Sequence, residues 1–291
     1  MTVAFETLQG ILDSAQRENI PFWRVILQDD CAERSVSAQQ SFETMRGMYR
    51  AMKEADAAYD AQLRSASGMA GGDGEKLARF RAQGGHLVGD YLSEVMEKAV
   101  KMAESNACMR RIVAAPTAGS CGVIPAVLLA CEAQKRVPEE RMVEALFVAA
   151  GIGEVIAASA SIAGAEGGCQ AEIGSASAMA AGAVAYLEGG APEDIVHAAA
   201  LALKNMLGLT CDPVAGLVEV PCIKRNVSGA VNAVTSAQLA LAGVRSVIPP
   251  DEVIDAMRRI GHLLPACLRE TSQEGLATTP TGQQIARRMR G

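Results

Sequence analysis

Residues 145–165, ALFVAAGIGEVIAASASIAGA, form the most apolar stretch of the sequence and contain a single charge, Glu154. Small Ala, Gly and Ser side chains make up most of it. A helix that is apolar on every face is typical of a protein centre or a membrane span. Because Glu154 and the small polar residues interrupt the stretch, we interpret it as a buried helix and expect no membrane role.

Outward from this stretch, the chain changes character at about residue 109. The first third is polar and shows helical spacing of apolar residues, as in Phe42, Met45 and Met52, whereas Ala/Gly-rich segments and short loops follow. Helix starts are indicated at Pro192 and Pro250, and no segment alternates with a period of two. The sequence predicts an all-α fold, a single bundle-like domain with buried Ala/Gly-rich central helices and site-forming loops.

Charge and termini narrow the class of protein. The net charge is −6, and no block of Lys or Arg occurs, which argues against nucleic acid or an anionic membrane as the partner. The first residues, MTVAFETLQG, carry an acid early and lack a basic segment followed by a long apolar run. We therefore expect no secretory signal, a cytoplasmic location and reduced thiols for the eight cysteines.

Half of the cysteines lie in candidate loops, where Gly or Pro neighbours give the backbone freedom to aim a thiolate. Such converging thiolates suit an iron–sulfur cluster or zinc. The spacing matches no compact ferredoxin or zinc-finger pattern, so buried neutral thiols stay an alternative. Helical patterns contain Cys108, Cys131 and Cys267, and the loop cysteines are Cys121, Cys169, Cys211 and Cys222.

Two Gly-rich segments could hold an anion. Residues 115–122, APTAGSCG, precede a predicted helix, whose first N–H groups and dipole can bind an amino-acid carboxylate. The alternative is that Ser120 caps that helix. The same pair of interpretations applies to SGMAGGDGEK, residues 67–76, where Lys76 would otherwise be a solvated charge.

A proton-abstracting base is not evident among the three histidines. His197 lies in an Ala-rich helical pattern typical of a core residue, and His262 closes a helix whose C-terminal dipole it can serve. His86 follows two glycines in a loop and is the least typical of a structural role, but none of the three is convincing as the catalytic base.

Four motifs together resemble the catalytic portion of bacterial iron–sulfur L-serine dehydratases, and SGMAGGDGEKL is similar to that family's SGxxGGDxxK loop. The resemblance covers roughly residues 60–285 in the family's order. It implies an L-serine ammonia-lyase that converts L-serine to pyruvate and ammonia. The motifs are AAPTAGSCGVIPAVLLA (114–130), AEGGCQAEIGSASAMAA (165–181), GLTCDPVAGLVEVPCIKRN (208–226) and ETSQEGLATTPTG (270–282).

The resemblance implies a 4Fe–4S cluster held by Cys169, Cys211 and Cys222. The iron left without a protein ligand would act as a Lewis acid on the serine hydroxyl. Lys224 and Arg225 would supply positive charge or be structural. The implied substrate-binding residues are Thr117, Ala118, Gly119, Ser120 and Cys121, with Ser67, Gly71 and Gly72 as further contributors.

Members of that family also have a β portion with a GPSSSHT-type motif, whose histidine is a candidate base. This sequence lacks the motif. We therefore expect an α chain in a hetero-oligomer, with a separate β subunit that supplies the base. Residues 61–291 would form the cluster and substrate-binding core, and residues 1–60 a polar helical N-terminal part. The chain ends IARRMRG without the terminal cysteine of some relatives, so no cluster ligand is expected from the tail.

The residues alone leave other functions open. A pyridoxal-phosphate dehydratase would need a Schiff-base lysine and a phosphate loop, and neither is evident. A related hydro-lyase or a cysteine desulfidase would use the same cluster with different pocket contacts. A non-catalytic binding subunit could also have kept the fold. Sulfide as a product would indicate the desulfidase, and failure to bind iron would indicate the binding subunit.

Overall fold

The computed structural model describes residues 5–290, with side chains up to Met289. Thirteen α-helices and no strand occur within these residues, which confirms the all-α prediction. The first four residues of the segment predicted not to be a secretory signal lie outside the described part. The helices are α1 (Leu8–Glu18), α2 (Phe22–Arg34), α3 (Ala38–Ala57), α4 (Asp73–Ala82), α5 (Gly89–Ala107), α6 (Val123–Lys135), α7 (Glu139–Ser159), α8 (Gly164–Gly167), α9 (Ser175–Leu187), α10 (Pro192–Lys204), α11 (Cys222–Leu241), α12 (Pro250–Leu263) and α13 (Pro280–Arg290).

The centre of the molecule is α9, which α6, α7, α10 and α11 surround. Every residue from Ser175 to Tyr186 is buried. The Ala/Gly-rich sequence of α9 makes this possible, because small side chains let neighbouring helices approach closely. At Gly182, for instance, an added Cβ would lie 2.2 Å from Cδ1 of Ile152 on α7. The predicted buried Ala/Gly-rich central helices are therefore present.

Helix α7 contains most of the apolar stretch 145–165. It is the one described helix long and apolar enough to cross a membrane, but 67% of its most apolar window is buried inside the protein. Its Phe147 ring lies 6.0 Å from Phe42 and 6.5 Å from Trp23, centroid to centroid. These contacts with α2 and α3 are those of a core helix.

Local sequence signals locate several helix boundaries. Pro192 and Pro250 each begin a helix, as predicted, and acidic residues fill both first turns. Helix α10 ends at Lys204, four residues before Gly208. Cys131 lies within α6, but Cys267 lies in a separate 3-10 turn, Ala266–Leu268.

The Gly-rich segment 67–76 already holds an anion, and that anion belongs to the chain itself. Helix α4 begins inside the segment at Asp73. The backbone N–H groups of Gly71, Asp73 and Gly74 donate to the Glu104 carboxylate over 3.1, 2.9 and 3.1 Å. The Tyr59 hydroxyl donates to it over 2.7 Å. A carboxylate from α5 therefore satisfies the start of α4.

Replacing Glu104 by glutamine is expected to lower the free energy of unfolding by about 2 kcal/mol. An amide has one acceptor oxygen, and its NH₂ group would face the N–H donors from which the carboxylate now accepts hydrogen bonds. Urea unfolding of the chain measures the change. Glu75→Gln is the control, because the Glu75–Arg79 pair on α4 is a surface pair, worth less than about 1 kcal/mol. Equal losses in the two variants would contradict the role of Glu104.

Candidate active site

Three residues from two of the motifs form one group. Each of Cys169, Glu172 and Cys211 has a potential ligand atom within 4.8 Å of the others. Cys169 immediately precedes a π-helical turn, Gln170–Gly174, a geometry common at functional sites. The group can accept a metal ion, because thiolates and a carboxylate are metal ligands.

The backbone of Cys211 is held by the segment that begins the fourth motif. Its N–H donates to the Leu268 carbonyl over 2.9 Å, and its carbonyl accepts from the Glu270 N–H over 2.7 Å. Helix α8 packs closely against Glu172 and Cys211 at Gly164. A Cβ added to Gly164 would lie 2.9 Å from Glu172 Oε2 and 3.3 Å from Cys211 Sγ. The group thus lies where three of the motifs meet.

The 117–120 loop lies against this group. The Thr117 hydroxyl donates to Glu172 Oε1 over 2.8 Å. An added Cβ at Gly119 would lie 3.0 Å from the same oxygen. The capping interpretation of Ser120 is wrong, because Gly122 is the N-cap residue of α6 and no side chain caps it. The Ser120 hydroxyl instead lies 3.2 Å from that of Thr117, within the loop.

Asn226 joins this loop to α11. Its Oδ1 accepts from the Gly122 N–H over 2.8 Å, and its Nδ2 donates to the Gly119 carbonyl over 2.8 Å. The same Nδ2 donates to the Cys222 carbonyl over 2.9 Å. Asn226 is 1% exposed, so these bonds are made without competing water.

Cys222 is the first residue of α11 and is buried. It lies outside the group of three ligand atoms. Burial and the nearby Cys169 thiolate raise the pKa of Cys222 to about 12.

The charges around Cys169 favour a thiolate. A hydrogen bond from the Cys211 thiol and the charge of Arg225 lower the pKa of Cys169. Arg225 is fixed by an ion pair to Asp212 over 2.8 Å and donates to the Thr210 carbonyl over 2.8 Å. Burial raises the pKa of Glu172.

The two neighbouring cations differ in their surroundings. The Arg225 side chain is 16% exposed and acts on Cys169. The Lys224 side chain is 60% exposed and pairs with Asp73 over 2.7 Å. Of the two, Arg225 is therefore the one that can compensate negative charge at the cysteines.

Four further predicted substrate-binding residues are engaged elsewhere. Cys121 is fully buried beside Met102, and burial raises the pKa of its thiol to about 12. Ser67 donates to the Glu219 carboxylate over 2.6 Å, and the Gly71 N–H is bound to Glu104. Gly72 precedes α4 as its N-cap. No hydrogen bond within residues 5–290 joins these four residues to the Cys169 group.

No hydrogen bond within residues 5–290 joins a histidine side chain to Cys169, Glu172 or Cys211. His86 is exposed between α4 and α5. Nδ1 of His197 accepts from the Ser246 N–H over 3.2 Å, and His262 is exposed in the last turn of α12. The described part of the chain therefore brings no histidine into contact with the group.

Glu172 and Asn226 were missed by sequence reasoning, although spacing could have found them. Glu172 follows Cys169 by three positions, and Asn226 follows Cys222 by four. Residues three or four apart share one face of a helix, so each lies beside a predicted ligand. The contacts of both with the 117–120 loop needed the tertiary structure.

The fold and the site define an all-α protein with two buried thiols and a partly buried carboxylate that could hold a metal ion. The family model for the serine dehydratase alpha chain matches residues 17–277. The chain belongs to this family, as predicted from its motifs.

Relatives of known name extend this match. A probable L-serine dehydratase alpha chain of Bacillus subtilis is 44% identical over 287 residues, 99% of this chain and 96% of the relative. One of Latilactobacillus sakei is 53% identical over 66% of this chain and 92% of the relative. The L-serine dehydratase TdcG of Escherichia coli is 46% identical, but the match covers 62% of this chain and 40% of that protein. These names agree with the predicted enzyme class, L-serine ammonia-lyase.

Proposed function

We propose that this chain is the α subunit of an L-serine dehydratase that deaminates L-serine to pyruvate and ammonia at a 4Fe–4S cluster held by Cys169, Cys211 and Cys222. One observation carries the proposal: Cys169, Glu172 and Cys211 lie together, and Thr117 of the 117–120 loop is hydrogen-bonded to Glu172. The chain also belongs to the serine dehydratase alpha chain family.

The donor set fits an iron–sulfur cluster. All three cysteines are free and buried, and thiolates are the ligands of such clusters. Arg225 supplies positive charge beside Cys169, which suits a cluster with net negative charge. A cluster bound by three cysteines supplies one open iron that can polarise the substrate hydroxyl as a Lewis acid.

The chain's own residues would bind and orient serine. We assign the substrate carboxylate to the loop Thr117, Ala118, Gly119 and Ser120, which Asn226 tethers to α11. The Glu172 carboxylate beside Thr117 would face the α-ammonium group of serine, because opposite charges attract strongly where water is excluded. Four residues would then have a structural role, because they pack beside this loop or at the start of α4: Cys121, Ser67, Gly71 and Gly72.

A separate β subunit would supply the general base and complete a cytoplasmic hetero-oligomer. The family and two of the relatives quoted above carry the name alpha chain, which supports a partner chain. The absence of a histidine beside Cys169 among the described residues also favours a base from outside this chain. Proton abstraction from Cα would use that base.

Anaerobic reconstitution of the chain with iron and sulfide, with and without a β subunit, tests the proposal. We expect a brown protein that forms pyruvate from L-serine only when β is present. A brown protein that forms sulfide from cysteine and no pyruvate from serine would make it a desulfidase. A chain that stays colourless would mean that the cysteines are structural core residues, and it would favour a non-catalytic subunit.

A further inference from the structure

A cavity of about 450 Å³ lies between α12 and the segment that carries Cys169. Its volume is in the range of small-molecule sites, about 300–1,000 Å³. None of its lining residues is a proposed cluster ligand or substrate-binding residue, but Gln170 and Ala171 belong to the turn between Cys169 and Glu172. The polar and charged ones used below are Ser161, Glu166, Arg258, His262 and Arg269.

Arg269 is the least satisfied cation of this cavity. Its Nη1 donates to the Glu166 carbonyl over 3.3 Å, while its Nε is buried without a hydrogen-bond partner. No carboxylate lies within ion-pair distance of Arg269 in residues 5–290. A desolvated guanidinium N–H without an acceptor is costly, and a carboxylate is the ligand that its fork geometry fits best.

A second wall with basic side chains faces the same space. Arg258 and His262 are four positions apart on α12 and so share one face of the helix. Among the described residues, Arg258 is paired only with Asp255, an exposed partner that it shares with Arg259, and such surface pairs are weak.

One acid lines the cavity. Glu166 is exposed, and its carboxylate already accepts a hydrogen bond from the Ser161 hydroxyl over 2.7 Å. Two guanidinium groups and an imidazole therefore line the cavity against one carboxylate that has a partner. This balance favours an anionic ligand.

We propose that this cavity binds a small dicarboxylate. Arg269 takes one carboxylate through its guanidinium fork, and Arg258 with His262 takes the other. The inference goes beyond the proposed function and does not rest on it, since no residue of the cavity is a proposed cluster ligand or substrate-binding residue.

The position of the cavity connects such a ligand to the cysteine loops. Arg269 forms an isolated parallel bridge with Cys211. On the opposite side, the Gln170 N–H donates to the Leu209 carbonyl, and its Nε2 donates to the Met257 carbonyl on α12 over 3.0 Å. A ligand that joins Arg269 to α12 would therefore stabilise both segments that carry Cys169 and Cys211.

Titration of the cluster-free full chain with succinate, followed by calorimetry and thermal unfolding at constant ionic strength, tests the proposal. We expect saturable 1:1 binding and a rise in Tm that acetate does not reproduce at equal concentration. Arg269→Gln should weaken succinate binding at least about tenfold, the effect of losing one charge-assisted pair. Arg259→Gln is the matched control, since Arg259 is on the same helix and outside the cavity, and it should bind as the parent does.

A second variant separates loss of charge from loss of fold. Ala266 lines the cavity and is exposed, so Ala266→Phe should fold while filling the space, and succinate binding should disappear. Absence of saturable succinate binding in the parent chain would overturn the proposal. Equal binding by the Arg269→Gln and Arg259→Gln variants would also overturn it. Cluster reconstitution is scored separately, so the two proposals fail independently.

Discussion

Replacing Cys211 by serine is expected to abolish iron uptake and to lower pyruvate formation at least about 1,000-fold, because the proposed cluster would supply several kcal/mol of transition-state stabilisation. Cys211 lies in the only group of its kind in the described chain, with Cys169 and Glu172 within 4.8 Å. A serine hydroxyl is nearly isosteric but does not ionise at neutral pH, so it leaves one iron without a thiolate.

The measurement is the visible absorption and iron content of anaerobically reconstituted protein, followed by pyruvate formation in the presence of β. Cys131→Ser is the matched control, because Cys131 is also fully buried but lies in α6 and points toward Glu188. The control should bind iron as the parent does. If the Cys211→Ser variant also binds iron, Cys211 is a structural core residue and the proposed set of cluster ligands is wrong.

The architecture was predictable because its signals are local. Pro192 and Pro250 begin helices, and acids in the first turn of each complement the helix dipole. The apolar stretch 145–165 had to be buried on all sides, and its helical part in α7 packs against α2, α3 and α9.

The stretch also shows where local reasoning ends. Helix α7 stops at Ser159, although Ala, Ser and Ile continue in the sequence. The Ser161 hydroxyl accepts a hydrogen bond from the Ala163 N–H over 3.1 Å, which favours a turn over another helical step. Such competition between a side chain and the helix cannot be decided from hydrophobic periodicity.

The candidate site was predictable as a set of loops but not as a geometry. Cys169 and Cys211 are 42 positions apart, and their spacing matches no compact metal motif. The Gln170 N–H donates to the Leu209 carbonyl and so joins the two cysteine segments, while the segment 268–270, which contains none of the predicted ligands, pairs with Cys211. Long-range pairing of this kind leaves no periodic trace in the sequence.

Competition for anions explains the difference between the two Gly-rich segments. Both offer backbone N–H groups before a helix, so the sequence predicts an anion site at each. Glu104 on α5 already occupies the segment before α4. The loop at Thr117 also faces an acid, Glu172, but this acid accepts from the Thr117 hydroxyl and from no backbone N–H group of residues 117–120. Only tertiary contacts distinguish the two cases.

Asn226→Ala is expected to lower the free energy of unfolding by about 3 kcal/mol, because it leaves the Gly122 N–H and the Gly119 carbonyl without buried partners. It should also lower kcat/KM for serine about 10- to 100-fold, since the proposed substrate-binding loop 117–120 loses its tether to α11 and small displacements of such a loop are costly. Urea unfolding and steady-state pyruvate formation measure the two effects.

Asn232→Ala on the same helix separates stability from positioning. The Asn232 amide donates to the Ser177 hydroxyl and to the Ala202 carbonyl, each over 2.8 Å, and touches neither the loop nor Cys222. Its removal should destabilise the chain by about 2 kcal/mol and leave kcat/KM within about twofold of the parent. Similar kinetic losses in both variants would mean that Asn226 acts through general stability, and a loss confined to Asn226→Ala would make it a positioning residue for the substrate loop.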